Sequence, residues 1–246
     1  MQDRSVTFAT NVWENDWRAI LTTDRLGQSV KRCGFSFADR LLMINNVSDM
    51  AAVRRAADSA VEAGTITRVV AVDEHAEAAL QMAGLTRAGL DKGYLYSIPP
   101  LVGLLQCRTA YFLYFTGDTI VAPDAPPDWL DRALDLLEAR PDVKAVNLTW
   151  NRRYRQAARQ SVDDDADFWF SRGFSDQMFL VRAAELRAPV YDHYHPAVRH
   201  FPERAGEPFE KRVAMWLRAT GRFRATYRHG AYLNRTIRPG LESDQI

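Results

Sequence analysis

Short apolar runs alternate along the chain with longer stretches in which apolar residues recur every three or four positions, a pattern that predicts strands alternating with helices. Val6 to Val12 (VTFATNV) is β-branched and apolar and runs into an Asn/Asp-containing stretch, so it predicts a strand, with a helix following from Asp16 as N-cap. Leu41 to Val47 (LLMINNV) predicts a second strand, after which Ser48-Asp49 caps a helix over MAAVRRAADSAVEA that Gly64 stops. Val69 to Val72 reads as a third strand and His75 to Met82 as an Ala-rich helix closed by Gly84. Ile98 to Leu105 reads as a short helix opened by Pro99-Pro100, leading into the most apolar strand, Ala110 to Phe115. The repeated order predicts an α/β fold with a mostly parallel central sheet flanked by helices on both faces.

The second half is less regular. Trp129 to Glu138 predicts a helix and Val143 to Leu148 a strand. From Asn151 to Phe170 the sequence is arginine-rich, then acidic (DDDAD), then aromatic (FWF), and reads as a long loop or helix-containing insertion. Met178 to Val181 reads as a strand, Glu207 to Ala219 as a helix ended by Gly221, and Phe223 to Tyr227 as a last strand before His229. The consecutive aromatics Phe168, Trp169 and Phe170 cannot all face one core from a regular element, so irregular burial is expected, with exposure to a partner or a peripheral membrane contact as the alternative.

A length of 246 residues with 47% hydrophobic content suits one domain over residues 1–246. A formal net charge of +1 gives no support to a nucleic acid partner. Cys33 and Cys107 lie far apart without metal-ligand spacing, which fits a reducing, cytoplasmic setting. No stretch reaches the roughly 18 to 20 apolar residues that span a bilayer.

In open α/β sheets ligands sit beyond the carboxyl ends of the strands. Four predicted ends are polar: Asn11, the pair Asn45-Asn46, Asp73, and Thr116-Gly117-Asp118-Thr119. In the last, Gly117 permits close backbone approach and Asp118 offers a carboxylate to a divalent cation; an ordinary turn with Asp118 bonded to backbone amides is the competing reading. Asp176, just before a predicted strand, could contact a sugar or cap a turn. Arg152, Arg153 and Arg155 could meet phosphates or form a solvated face. Trp150 could stack on a sugar or close the core edge.

A first strand ending in Asn, a second ending in a polar pair and a mid-chain apolar strand ending in an acidic turn resemble the GT-A glycosyltransferases, family 2-like, whose turn carries an Asp-x-Asp motif. In YFTGDT, Thr116 stands at the first acid and Asp118 at the second. Asn45-Asn46 stands where an acidic pair commonly contacts the nucleotide, and Asp73 could supply a compensating carboxylate. The resemblance implies a GT-A, nucleotide-diphospho-sugar transferase-like fold, with a nucleotide-sugar-binding half over 1–120 and an acceptor-binding half over 121–246. It implies a hexosyltransferase-like enzyme that moves a sugar from a nucleoside diphosphate sugar to a glycan or other hydroxyl acceptor.

The implied cofactor is Mn or Mg, held by Asp118 and His229. The donor-binding residues would be Asn11, Asn45, Asn46, Asp73, Asp118 and Asp176. Downstream, an acidic motif opens a helix ahead of a strand and His229, in GEPFEKR, VAMWLRATG and FRATYRHG. Glu207 is the first choice for the catalytic base and Glu210, one turn on, the second. Helix-terminal acids and a surface histidine are the plain alternatives. A noncatalytic sugar- or nucleotide-binding protein of the same fold, or a nucleotidyltransferase, would share the pattern, although the latter lacks its glycine-rich phosphate loop near the first strand.

Overall fold

The computed structural model describes residues 3–201 and 206–234, so the domain range drawn to 246 runs beyond the described residues. Its first half follows the expected order closely. Strand β1 (Val6–Val12) leads to helices α1 (Trp17–Leu21) and α2 (Arg25–Lys31). Strand β2 (Asp39–Ile44) leads to α3 (Met50–Glu62), whose Ala52 N–H is capped by the Asp49 side chain at 2.9 Å. Strand β3 (Arg68–Ala71) runs directly into α4 (Val72–Ala83), which ends on Gly84 with φ 66°. After α5 (Arg87–Leu90) comes α6 (Tyr94–Gln106), then β4 (Tyr111–Phe115) and β5 (Thr119–Val121).

The remaining elements are α7 (Trp129–Ala139), β6 (Val143–Trp150), α8 (Tyr154–Gln160), β7 (Asp163–Asp164), β8 (Phe168–Ser171) and β9 (Met178–Arg182). They close with α9 (Ala183–Arg187), α10 (Phe209–Ala219) and β10 (Phe223–Asn234).

The strands form one sheet in the order β3-β2-β1-β4-β9-β6-β10-β8-β7, with β5 paired to β10. Pairings among β3, β2, β1 and β4 are parallel, as is that of β6 with β10. Strand β9 lies antiparallel between β4 and β6, and β8 antiparallel on β10. The apolar run of β4 is explained by burial on both faces: Phe112 and Tyr114 enter the core under α4, α6 and α10, while Tyr111, Leu113 and Phe115 enter the core under α7.

Three expectations change. Helix α6 begins at Tyr94, so Pro99 and Pro100 sit inside it rather than at its start. The helix is nearly all apolar and packed on the sheet, and this tertiary burial overrides the proline penalty. The segment from Asn151 to Phe170 contains α8 and a β-hairpin, and the aromatic triplet is a regular strand. Phe168 and Phe170 enter the core while Trp169, on the other face, lies under the Arg228 guanidinium at 5.0 Å. All three are at most 9% exposed, so they offer no surface to a membrane. Strand β10 is twelve residues long, because its far end continues beside β6 and turns to pair with β5. Among the described residues no helix is long and apolar enough to cross a membrane.

At the edge of the sheet where β2 and β3 begin, Asp39 accepts hydrogen bonds from Arg68 Nε at 3.1 Å and Thr67 Oγ1 at 2.5 Å. Arg68 Nη2 continues to the Gln106 carbonyl at 2.9 Å, tying two strands to the end of α6. Burial works against the Asp39 carboxylate, but the Arg68 and Thr67 bonds outweigh it and hold its pKa below the usual range. Asp39→Ala would leave Arg68 largely desolvated without its partner, and we expect a loss of about 3 kcal/mol in urea unfolding. The exposed pair Arg54–Glu74 is the control: Glu74→Ala should leave the unfolding midpoint almost unmoved.

Candidate active site

Two clefts open along the edge where the parallel strands end, and they meet at Asp176 and Gln177. The first, of about 270 Å³, brings together five of the sequence-predicted residues: Asn11, Asn45, Asn46, Asp118 and Asp176. Asn11, at the end of β1, accepts the Tyr114 hydroxyl at 2.7 Å. Asn46 adopts φ 50°, a left-handed conformation that Asn tolerates better than most residues. Asn45 Nδ2 donates to the Leu95 carbonyl at 3.0 Å. That carbonyl is free to accept because its partner one turn on would be the N–H that Pro99 lacks. The prolines inside α6 thus expose backbone acceptors at the cleft wall, where Leu95, Tyr96 and Pro99 stand.

The turn after β4 is built by close approach. A Cβ on Gly117 would lie 2.4 Å from the Asn11 carbonyl oxygen and 2.6 Å from Ile20 Cδ1, so only glycine lets the turn seat under the end of β1. Asp118 Oδ1 accepts from Thr116 Oγ1 at 2.8 Å and from Asn234 Nδ2 at 2.9 Å, and the Asp118 carbonyl accepts from Arg25 Nη2 at 2.9 Å. Thr116, in the position of the first acid, therefore orients the second. Asn234 is the last residue of β10.

Asp73 and His229 stand elsewhere. Asp73 is exposed on the first turn of α4, because β3 stops at Ala71 and the helix starts at once. His229 is half-exposed in a bulge of β10, where pairing with β6 jumps from Tyr227 to Ala231. Its Nε2 lies 3.2 Å from Asp167 and 3.1 Å from the Ala166 carbonyl. Five residues further along the same strand, Asn234 reaches Asp118 instead. Among the described residues no three His, Cys, Asp or Glu side chains gather as a ready metal-ligand set.

The second cleft, also about 270 Å³, lies between β6, α8, β10 and the start of α10. Glu210 lines it, and Glu207 lines neither cleft: the Glu207 carboxylate is 47% exposed and pairs with Lys211 Nζ at 2.5 Å. Ser97 fixes the start of α10, donating to the Gly93 carbonyl at 2.7 Å and accepting the Phe209 N–H at 2.8 Å. The next residue, Glu210, is thereby aimed at the cleft on the first helical turn.

One acid escaped the sequence reading. Asp16, expected only as a helix cap, makes no cap bond to its helix; it is 4% exposed in the first cleft and accepts the Trp13 N–H at 2.8 Å. The signal was the Asn/Asp-containing stretch that ends β1. Burial pushes its carboxyl up to about 7, with the Asp118 charge adding to the rise against the Trp13 bond and Arg25. Burial, reinforced by Asp118, raises Asp176 to about 6. Burial and the Asp176 charge together raise Glu210 to about 8, against the pull of Arg224.

These shifts set the sign of a stability profile. A carboxyl whose pKa is raised on folding binds its proton more tightly in the native state, so its contribution is full below the unfolded pKa and is lost as pH rises through the folded one. For Glu210 that window runs from 4.5 to about 8. The melting temperature should fall between about pH 5 and 8, and Glu210→Gln should flatten the decline; an unchanged slope would contradict the raised pKa of this carboxyl. Gly117→Ala should cost about 1–3 kcal/mol in denaturant unfolding through overpacking at the turn.

No protein-family model matches the sequence, and no curated protein matches it. Solved structures do. Staphylococcus aureus TarS, residues 1–349, aligns with a TM-score of 0.50 at 10% identity over 93% of this chain, which spans 60% of that fragment. Glucosyl-3-phosphoglycerate synthase from Mycobacterium tuberculosis, in complex with Mn2+, uridine diphosphate and glucosyl-3-phosphoglycerate, aligns at 0.48 with 10% identity, covering 95% of this chain and 73% of that one. A mycobacterial protein aligns at 0.47 with 14% identity, covering 96% and 69%. At such identities the likeness is one of fold, and this chain has the mixed α/β fold of the GT-A glycosyltransferases, a central sheet flanked by helices.

Proposed function

We propose that this protein transfers a sugar from a nucleoside diphosphate sugar to an acceptor hydroxyl. The observation that carries this reading is the meeting of two clefts at Asp176, one with Asp118 on its wall and the other with the half-buried carboxyl of Glu210. The first takes the donor, with Asn11, Asn45 and Asn46 contacting the nucleotide and Asp118 nearest the diphosphate. The second takes the acceptor. The reading gains from a fold shared with TarS, and reducing conditions in the cytoplasm suit its buried, unlinked cysteines.

Mn or Mg is compatible with the donor set. Magnesium is often held by one or two protein carboxylates together with substrate phosphates and water, and Asp118 can serve in that mode with Asp16 and Asp176 adding to the negative field. His229 is not needed for it. A bound cation would offset the charge of the diphosphate leaving group.

Glu210 is the proposed base in preference to Glu207. As the acceptor oxygen attacks the anomeric carbon, Glu210 takes its proton, the bond from that carbon to the diphosphate oxygen breaks, and the nucleoside diphosphate departs. A base raised to about 8 is mostly protonated at neutral pH, so turnover should climb with pH and level off above about 8. A second reading, a binding protein without turnover, is favoured by one detail: Thr116 replaces an acid and ties up an Asp118 oxygen.

Calorimetry with uridine, guanosine, adenosine and cytidine diphosphates in the presence of Mn tests the donor site, and no binding to any would remove the proposal. Asp118→Asn should weaken nucleotide binding. Glu210→Gln should lower kcat by about 10²- to 10⁴-fold while leaving nucleotide affinity near wild type, and unaltered turnover would remove Glu210 as base.

A further inference from the structure

The second cleft is lined by two guanidinium groups that carry little of the fold. Of the three arginines that follow β6, Arg152 is paired with Asp124 at 2.8 Å, while Arg153 turns into the cleft. Its guanidinium lies 4.1 Å over the Trp150 ring and forms no ion pair among the described residues. Arg224, from β10, makes one Nη2 bond to Ser171 Oγ at 2.9 Å, and its buried Nε has no hydrogen-bond partner among the described residues. Beyond the Ser171 bond the Arg224 guanidinium, which lines the cleft, keeps Nη donors for a ligand.

Two carboxyls face these cations, Asp176 and Glu210. Burial raises Glu210 to about 8, so near neutral pH it is mostly protonated while Asp176, at about 6, is mostly ionised, and the two guanidinium groups face a single carboxylate charge. The indole of Trp150 does not offer a free platform on the side that Arg153 covers, so stacking by a neutral sugar is disfavoured there. The remaining lining, including Gln156, Gln160, Thr226 and Tyr232, supplies neutral hydrogen-bonding groups. The volume is near the lower end of small-ligand pockets.

We propose that the acceptor is a small hydroxyl compound carrying an oxyanion, a carboxylate or a phosphate, which Arg153 and Arg224 bind while its hydroxyl faces Glu210. This assignment of the acceptor class rests on the transferase reading; the oxyanion site itself does not. Guanidinium forks match both anions, and the aromatic support under Arg153 holds its fork in place at little entropic cost.

The test is calorimetry at low salt with glycerol 3-phosphate, glycerate and glycerol, three probes of similar size that separate phosphate, carboxylate and neutral polyol. At least one anion should bind where glycerol does not. Arg153→Gln, a change at an exposed residue that leaves the core alone, should weaken anion binding by about 10- to 100-fold, the loss of one charge-assisted contact. Arg224→Lys, which keeps the charge and loses the fork, should weaken it as well.

Equal binding of glycerol and the anions, or wild-type anion affinity in both variants, overturns the proposal. Titrating a nucleoside diphosphate with Mn into the same protein separates the two readings. Nucleotide binding without anion preference overturns the acceptor class and leaves the transferase standing. Anion binding without nucleotide binding overturns the transferase and keeps the oxyanion site.

Discussion

The reversal of one strand organises this site. Strand β9 runs antiparallel between β4 and β6, so the residues entering it lie at the same edge where its parallel neighbours end. Asp176 and Gln177 precede β9 and are thereby delivered between the ends of β4 and β6. The Thr116 N–H, at the end of β4, bonds to the Gln177 carbonyl at 2.9 Å, which joins the turn after β4 to this segment. A parallel β9 would have sent Asp176 to the opposite edge, and the two clefts would share no wall.

That geometry concentrates acid. Asp16, Asp118, Asp176 and Glu210 come from four separate segments, and burial together with mutual repulsion raises three of them. Such an arrangement works against stability at neutral pH and toward binding, since a cation, a proton or a cationic side chain is favoured there. The opposite edge is the reverse case. Asp39 and Arg68 satisfy one another, the carboxylate is held ionised, and the pair locks strand beginnings to a helix end. One edge therefore pairs its charges within the fold while the other gathers like charges along the clefts.

Local chemistry was readable wherever a signal had a short range. The β-branched run Val6 to Val12, the Asp49 cap and the αL glycine at Gly84 each act within a turn or a strand, and the structure has them where the pattern puts them. Helix α6 and strand β8 were harder. Pro99 and Pro100 mark a helix start by local rules, but the energy of packing an apolar helix on the sheet decided otherwise. The aromatic triplet looked irregular because one-sided burial was assumed; a strand covered on both faces buries alternate residues in opposite directions.

The sequence by itself determined the alternation of strands and helices, the apolar centre of the sheet and the polar strand ends at Asn11, Asn45, Asn46 and Asp118, because each is written in neighbouring residues. Tertiary structure alone decided which distant groups meet those ends. Asn234 rather than His229 reaches Asp118, since a bulge in β10 throws the histidine outward and sets the asparagine beside the turn. Glu210 rather than Glu207 faces a cleft, since Ser97, more than a hundred residues earlier, fixes where α10 begins. Asp16 becomes a cleft acid through the close approach that Gly117 allows. Register, bulges and long-range caps are set by packing across the whole sheet, and spacing along the chain does not encode them.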